Sequence, residues 1–382
     1  MGFHEFSSPY DWSRIAAYKR TEKAAFGGMI DLSVGSPVDP VPDSVRKALA
    51  VAANDPNAYG YPATAGTADL RAAIAEWFSA TRNVDLQAIH ADVVPTVGSK
   101  EGVALMASLL HFGEDDVVVQ PKVSYPTYEI GTQLAGAQVL KVDDVADVAS
   151  WRNVPGVKAV WVNSPCNPTG EVYSAERMAG IVAAAREIGA VVLSDECYAL
   201  MQWRGATNSA DDDPLQSTPC ALRSDVCAGS AEGVLVLYSL SKQSNMAGYR
   251  TAFIAGDESL IASMSAYRKQ IGQIIPGPVQ AAMAAGLRDL ESVKVQHARY
   301  RERLGVLVSA LRAYGYCTDM PDGALYVWVR AKSGDCWTDM EQLAKIGIIA
   351  SPGEFYGAPE CLRFSATASD EAIASAAERL AR

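Results

Sequence analysis

Short runs of β-branched residues alternate with helix-patterned segments over residues 92–256 of this chain. Such alternation is typical of a mostly parallel sheet whose connecting helices cover both faces. Open sheets of this kind bind ligands at the carboxyl ends of their strands, so we expect the functional residues there. The predicted strands are Asp92–Val97, Asp116–Gln120, Gln138–Val142, Val157–Asn163, Ala190–Ser194, Val234–Ser239 and Arg250–Ala255.

After residue 257 the pattern changes to long helices rich in Ala, Leu and Arg, followed by short strands. A chain of 382 residues is long enough for two domains. We therefore predict an α/β protein with a large domain built on a mostly parallel sheet and a smaller α+β domain. The predicted divisions are an N-terminal segment joining the small domain (1–44), the large domain (45–279) and the small domain (280–382). The later elements are strands Ala324–Val329, Gly347–Ala350 and Leu362–Ser365 and helix Asp370–Leu380.

Charge and cysteine usage exclude several classes of function. The 33 basic and 44 acidic residues give a net charge of −11, and no basic run offers a surface for nucleic acid or an anionic membrane. The seven cysteines are scattered without a C-x-x-C pair, which indicates reduced thiols in a cytoplasmic protein. The N-terminus lacks a signal-peptide pattern, and no apolar run approaches the roughly 18 residues that cross a bilayer. The four histidines are far apart, so we expect no metal site.

A lysine directly follows one of the most apolar predicted strands. Lys242 ends the string Ser239–Lys242 after the strand Val234–Tyr238. Burial or neighbouring positive charge lowers the pKa of a lysine, and the resulting free amine can bond covalently to an aldehyde. By itself, a lysine here is more often a solvent-facing residue at the start of a helix.

Two other predicted strands end in polar strings. Asp195 and Tyr198 follow the strand Ala190–Leu193, and Asn167 lies in the Asn-Pro-Thr-Gly string after the strand Val157–Val162. Alone, the aspartate could be a helix N-cap and the Asn-Pro-Thr-Gly string a turn.

Together and in this order, the three segments resemble the class I/II aminotransferases, a family of fold type I enzymes that use pyridoxal 5′-phosphate. The resemblance spans residues 31–382 and implies a transaminase acting on amino acids and oxo acids. It implies that Lys242 holds the cofactor covalently and then carries the substrate proton. It implies further that Asp195 pairs with the pyridinium nitrogen, and that Asn167 and Tyr198 donate to the phenolic oxygen of the ring.

Other matched positions concern the cofactor phosphate and ring. Gly98, Ser99 and Lys100 precede a predicted helix whose N-terminus suits an anion. The resemblance adds Ser239, Ser241 and Arg250 to this phosphate site. The resemblance also implies that Tyr61 reaches the phosphate site of the neighbouring subunit, and therefore a homodimer with shared sites. The family stacks an aromatic residue on the ring; Tyr125 fits best, with Tyr128 three residues on, although a gap-free alignment places Lys122 there.

The substrate carboxylate is assigned to two further positions by the resemblance. Arg363, in the string Leu362–Ser365 after Pro352–Gly357, would clamp the α-carboxylate with a bidentate fork. Gly35, in the string Leu32–Pro37, would close its backbone over the same group. Asn167 would contact the substrate as well.

Three loop strings narrow the expected substrate. Within the family, they look most like aminotransferases of N-succinyldiaminopimelate in the diaminopimelate route to lysine, with L-glutamate as amino donor. Rival interpretations are an aspartate, alanine or aromatic aminotransferase and a carbon–sulfur lyase of the same fold. A cofactor-binding regulator is disfavoured because the chain shows no added DNA-binding domain or basic patch. The strings are Asp31–Pro42, Gly60–Thr67 and Pro276–Gln280.

Overall fold

The structure is a computed structural model that describes residues 12–22, 28–203, 215 and 218–382. The N-terminal residues whose sequence argues against a signal peptide lie outside the described residues. Two compact units make up the described chain. The large unit contains Pro37–Arg299 and Asp322–Ala324, and the small unit contains the other described residues.

Helices and strands alternate through most of the described chain. None of the helices within the described ranges is long and apolar enough to cross a membrane. The strands are β1 (Ile30–Asp31), β2 (Ala91–Val97), β3 (Val117–Pro121), β4 (Gln138–Val142), β5 (Val157–Asn163), β6 (Val191–Asp195), β7 (Val234–Ser239), β8 (Thr251–Asp257), β9 (Tyr326–Arg330), β10 (Ile348–Ile349), β11 (Ser351–Pro352) and β12 (Cys361–Ser365). The helices are α1 (Trp12–Glu22), α2 (Asp43–Ala52), α3 (Ala68–Arg82), α4 (Ser99–Leu109), α5 (Thr127–Leu134), α6 (Ala175–Glu187), α7 (Ser224–Cys227), α8 (Leu240–Gln243), α9 (Glu258–Ile271), α10 (Gly277–Arg288), α11 (Leu290–Ala313), α12 (Cys336–Lys345) and α13 (Asp370–Leu380).

The large unit is built on a seven-stranded sheet in the order β2-β8-β7-β6-β5-β3-β4. Six of these strands run in one direction, and β8 is antiparallel to both of its neighbours. The α/β class and the mostly parallel sheet are therefore confirmed. Three predicted strands, those starting at Asp116, Ala190 and Arg250, began a residue too early. For the last, the reason is that Arg250 has a left-handed φ of 57° that a strand cannot accommodate.

Alternate residues of each central strand face opposite sides of this sheet. In β7, Leu235 and Leu237 pack in one apolar cluster with residues of α4 and α9, whereas Val234, Val236 and Tyr238 pack in the other with residues of α3, α6 and α10. This two-residue period is that of a strand buried on both faces. The two cores leave the strand ends as the place where polar groups can gather.

The small unit contains an antiparallel sheet in the order β11-β12-β9 and a parallel pair, β1 with β10. The N-terminal segment is held there because Leu32 N–H donates to Ile349 O (2.8 Å) and Ser365 N–H donates to Leu32 O (2.8 Å). Strand β9 starts later than the predicted Ala324, whose φ of 62° is left-handed. Helix α13 has its predicted bounds, and Ser369 caps it.

The segment that follows β6 contributes Glu196 to a buried ion pair. The Arg82 guanidinium, at the end of α3, donates to Glu196 Oε2 (3.1 Å) and to Pro219 O (2.7 Å). The other carboxylate oxygen of Glu196 accepts Ala221 N–H (2.8 Å) and the Ser194 hydroxyl (3.0 Å). Both charged side chains are almost fully buried. The pair therefore ties the end of α3 and the 218–221 segment to the end of β6.

We expect Arg82→Met to lower the free energy of unfolding by about 3–5 kcal/mol, because it leaves the Glu196 carboxylate buried without its cation. Urea denaturation would measure the loss. Arg288→Met is a matched control, since Arg288 pairs with Glu76 (2.7 Å) at a more exposed position, and we expect it to cost less than about 1 kcal/mol. Equal losses in the two variants would contradict the role given to the buried pair.

Candidate active site

A buried carboxylate marks the carboxyl end of β6. Asp195 is 6% exposed, and its Oδ2 accepts the Tyr128 hydroxyl at 2.7 Å while its Oδ1 accepts Cys197 N–H at 3.1 Å. Burial raises the pKa of the Asp195 carboxyl above its ordinary value, and the two donors act in the opposite direction. The carboxylate is thus held in one orientation by groups from α5 and from its own turn.

The neighbouring strand supplies an asparagine that fixes the next loop. Asn163, the last residue of β5, is the register partner of Asp195. Its side-chain amide donates to Asp195 O (2.9 Å) and Pro165 O (3.2 Å), and its Oδ1 accepts Asn167 N–H (2.8 Å). The Asn167 backbone is therefore fixed relative to Asp195, and both residues are buried.

One buried thiol brings three of the predicted segments together. Asp195, Ser99 and Lys242 all influence the pKa of the Cys197 thiol. Burial and the adjacent Asp195 carboxylate raise the pKa of this thiol. The strands that carry these residues lie close in the sheet, because Asp195 pairs with Leu237 of β7 and both β7 and β2 pair with β8, as expected for an open α/β sheet.

A guanidinium lies against the start of α4. Gly98, the N-cap of α4, has a left-handed φ of 79°, and a Cβ added there would overlap with the Arg250 guanidinium. Arg250 also donates to Ala247 O (2.9 Å) and, at 3.4 Å, to Val97 O. The N-terminus of an eleven-residue helix beside a fixed cation can bind an anion.

The lysine follows a short serine network at the end of β7. The Ser239 hydroxyl oxygen accepts Ser241 N–H (3.1 Å) and lies 2.8 Å from Ser241 Oγ. This capping interaction begins α8, and Lys242 lies within that helix. The last strand residue and the lysine are thereby placed at the same sheet edge as Asp195.

The remaining predicted residues of the large unit differ in exposure. Tyr125 is half-buried, with its ring edge-on to that of Tyr128 at 5.7 Å, and Tyr198 is buried in the turn after β6. Lys100 is exposed in the first turn of α4. Tyr61 is fully exposed, as a residue that reaches a neighbouring chain would be in a single chain.

Gly35 and Arg363 lie together in the small unit. Arg363, on β12, is 4% exposed and donates from Nη2 to Ser33 O at 2.8 Å. Its guanidinium carbon lies 4.0 Å from the centroid of the Tyr326 ring. A Cβ added at Gly35 would overlap with the hydroxyl of the same tyrosine.

Over residues 27–380 the chain matches the family described as aminotransferase class I and II, and it belongs to that family. It is a pyridoxal-phosphate-dependent aminotransferase. It is 40% identical to the 4-dedimethylamino-4-oxo-anhydrotetracycline transaminase OxyQ of Streptomyces rimosus, over 97% of this chain and 98% of that one. It is 29% identical to an LL-diaminopimelate aminotransferase of Syntrophobacter fumaroxidans (97% and 95%). A probable N-succinyldiaminopimelate aminotransferase of Thermus thermophilus superposes with a TM-score of 0.84, at 26% identity over 97% and 99% of the chains.

The residues at the sheet edge fit this cofactor. An aldehyde needs an amine, a pyridinium nitrogen needs a carboxylate, and a phosphate needs N–H groups with a cation. Asp195 ends β6 and Lys242 follows the neighbouring strand β7, and Arg250 fills the space that the missing Cβ of Gly98 leaves. Within the described ranges, no cluster of three or more His, Cys, Asp or Glu residues could hold a metal ion.

Sequence reasoning missed three residues that organise this edge: Tyr128, Asn163 and Cys197. Tyr128 follows Tyr125 by one helical turn, but its bond to Asp195 joins residues 67 positions apart. Asn163 carried one available signal, a polar residue ending an apolar strand. Cys197 carried none, because a cysteine is common in buried positions.

We expect Tyr128→Phe to raise the pKa of Asp195 further, because it removes a donor that stabilises the ionised carboxylate. If Asp195 must be ionised, activity is lost as the pH falls through its pKa, so the acid limb of the kcat/KM profile moves to higher pH. The expected shift is about one to two pH units, since a hydrogen bond to a charged group contributes about 1.5–3 kcal/mol and one pKa unit equals about 1.4 kcal/mol.

Tyr173→Phe is the matched control for this prediction. The Tyr173 hydroxyl also donates to an aspartate, Asp144, at 3.3 Å and in the same unit. Its removal should leave the acid limb in place. An unchanged limb in Tyr128→Phe would show that this hydrogen bond does not tune Asp195.

Proposed function

We propose that this aminotransferase exchanges an amino group between L-glutamate/2-oxoglutarate and N-succinyl-LL-2,6-diaminopimelate/N-succinyl-2-amino-6-oxopimelate. The transaminase chemistry is supported by the location of Asp195, Lys242 and the α4 N-terminus at the ends of β6, β7 and β2, which belong to one sheet. The assignment of this substrate rests on the resemblance of three loop strings, Asp31–Pro42, Gly60–Thr67 and Pro276–Gln280. Two similar proteins support it, one named for LL-diaminopimelate and one for N-succinyldiaminopimelate.

Each residue at the sheet edge has a defined part in this proposal. When bound, pyridoxal phosphate supplies the carbonyl that takes up the amino group and the electron sink for the substrate Cα–H bond. Lys242 holds the cofactor covalently and afterwards carries the proton removed from Cα. Asp195 keeps the ring nitrogen protonated, and Asn167 and Tyr198 donate to the ring's phenolic oxygen. Tyr125 packs against the ring.

The phosphate of the cofactor is held by groups from three loops. Gly98, Ser99 and Lys100 offer the N-terminus of α4. Arg250 adds a cation beside it, and the Ser239–Ser241 pair adds hydroxyls at the start of α8. These groups neutralise the phosphate and fix the cofactor's position.

The α-carboxylate of either substrate is bound by Arg363 with the backbone of Gly35. A guanidinium forms two parallel hydrogen bonds to a carboxylate, which a lysine cannot do. Glutamate and N-succinyldiaminopimelate share this group and differ in the distal part. One carboxylate site can therefore serve both half-reactions.

Shared sites in a homodimer complete the proposal. Tyr61 and Tyr59 are 103% and 90% exposed in the single chain. The buried Gln280 side chain holds their loop, accepting Thr67 N–H (2.8 Å) and donating to Ala63 O (3.0 Å). A rigid loop with an outward tyrosine is suited to reach the phosphate of a second copy.

A second candidate substrate is a cyclic ketone, and one observation favours it. The relative that is 40% identical over nearly the whole chain is named for an oxo-anhydrotetracycline. This identity exceeds the 29% and 26% of the diaminopimelate relatives. An amino-group acceptor with fused rings therefore belongs in the same experiment.

Visible absorbance of the purified enzyme separates these substrates. L-glutamate should convert the yellow form of the bound cofactor to the aminated, shorter-wavelength form, and so should N-succinyldiaminopimelate added to a fresh sample. Conversion by glutamate alone would discard the named substrate. Recovery of the yellow form when an oxo-anhydrotetracycline is added to glutamate-treated enzyme would support the second candidate. Pyruvate and ammonia from cystathionine would instead indicate a carbon–sulfur lyase.

We expect Lys242→Ala to abolish turnover and the covalent attachment of the cofactor. Borohydride reduction followed by mass spectrometry should show the cofactor's mass on the wild-type chain and not on this variant. Lys269→Ala, an exposed lysine on α9, is the control and should keep both properties. Normal turnover in Lys242→Ala would refute the assignment of this lysine.

We expect Tyr61→Phe to weaken cofactor retention about 10- to 150-fold, because the phosphate loses a donor worth about 1.5–3 kcal/mol as a hydrogen bond to a charged group. Cofactor dissociation measured by dialysis checks this. Tyr59→Phe, two residues away and also exposed, should retain the wild-type affinity. A monomer in light scattering that binds the cofactor fully would eliminate the shared site.

A further inference from the structure

Aromatic rings surround the guanidinium of Arg363. Its central carbon lies 4.0 Å from the centroid of the Tyr326 ring and 4.7 Å from that of Tyr356. Arg363 is also the register partner of Trp328 on β9, and Trp328 meets Tyr356 edge-on at 5.9 Å. Arg363 therefore contacts two tyrosine rings, and one of them packs against Trp328.

Both tyrosines are held in place by the small unit. Tyr326 is 2% exposed and Tyr356 is 5% exposed. The hydroxyl of Tyr326 occupies the space in which residue 35 would carry a Cβ, so a glycine is required there. The hydroxyl of Tyr356 lies 3.2 Å from Ser351 Oγ, a hydrogen bond in which either can donate. The rings are fixed before any ligand binds.

Two ring contacts and one hydrogen bond together restrict the guanidinium. A ring within about 6 Å of a cation attracts it through the negative face of its π system, and a guanidinium stacks flat on such a face. The bond from Nη2 to Ser33 O (2.8 Å) sets the rotation within the plane. A partner must then approach in the guanidinium plane, which is the geometry of a two-point contact with a carboxylate.

We propose that Tyr326 and Tyr356 are positioning residues that hold Arg363 for in-plane carboxylate binding and so select amino donors carrying a carboxylate on the reacting carbon. This inference rests on the proposed role of Arg363. It adds residues that touch neither the cofactor nor the reacting atoms. A tyrosine ring attracts a guanidinium without adding a negative charge of its own, so the two rings contribute to the position of Arg363.

The test compares L-glutamate with 4-aminobutyrate, which is glutamate without its α-carboxylate. In the holoenzyme, Tyr326→Met and Tyr356→Met keep roughly the side-chain volume and lose the ring. We expect each to raise KM for glutamate about 3- to 30-fold, the range of a cation–π contact, with kcat nearly unchanged. The preference for glutamate over 4-aminobutyrate in kcat/KM should fall by a similar factor, and glutarate, an unreactive dicarboxylate followed by the cofactor spectrum, should bind more weakly.

Three further variants separate the possible failures. Tyr326→Phe and Tyr356→Phe keep the rings and should stay within about threefold of the wild type, and they remain informative if a methionine variant does not fold. Tyr314→Met removes a ring on which Lys332 stacks at 3.7 Å, elsewhere in the same unit, and should change none of these values.

Three results would overturn these assignments. An unchanged preference and glutarate affinity in folded methionine variants would overturn the positioning role, as would equal losses in the phenylalanine variants. An unchanged KM for glutamate in Arg363→Leu would instead remove the proposed carboxylate role of Arg363 itself. The Arg363→Leu measurement therefore distinguishes a failure of the proposed function from a failure of this inference.

Discussion

The burial of the Asp195 carboxylate imposes a requirement that much of the large unit satisfies. A carboxylate in that position is costly unless donors compensate for its lost hydration. The donors come from α5 through Tyr128 and from the turn through Cys197, and Asn163 fixes the backbone that carries the acid. Because α5, β5 and β6 all contribute, the position of the acid depends on the register of the sheet.

The same sheet edge supplies an anion site through backbone conformation. Gly98 and Arg250 both have left-handed φ angles and lie at the ends of the paired strands β2 and β8. The missing Cβ of the glycine lets the guanidinium approach the helix start. For the non-glycine Arg250, a left-handed φ is uncommon, and backbone strain of this kind is typical of functional sites. Position 98 therefore has a steric reason to be glycine as well as a conformational one.

Strand periodicity predicted the α/β fold and the sheet edge on which the polar strings meet, because both depend on local patterns. The strands β4, β5 and β7 have their predicted bounds, whereas β8 and β9 begin after left-handed residues that no hydrophobic pattern reveals. The bond between Tyr128 and Asp195 and the stacking on Arg363 join distant residues, so neither could be read from spacing. The roles of Lys242 and Arg363 came from family resemblance and stay predictions.

Three buried arginines differ in the groups that contact the guanidinium, and this difference bears on their roles. Arg82 is held by Glu196, and Arg268 forms two hydrogen bonds with Glu101 at 2.7 and 3.1 Å. Those carboxylates balance the charge, so both arginines connect elements of the large unit. Around Arg363, two tyrosine rings and the Ser33 carbonyl oxygen contact the guanidinium. A buried cation oriented in this way attracts an anion, which is the property that carboxylate recognition by a transaminase requires.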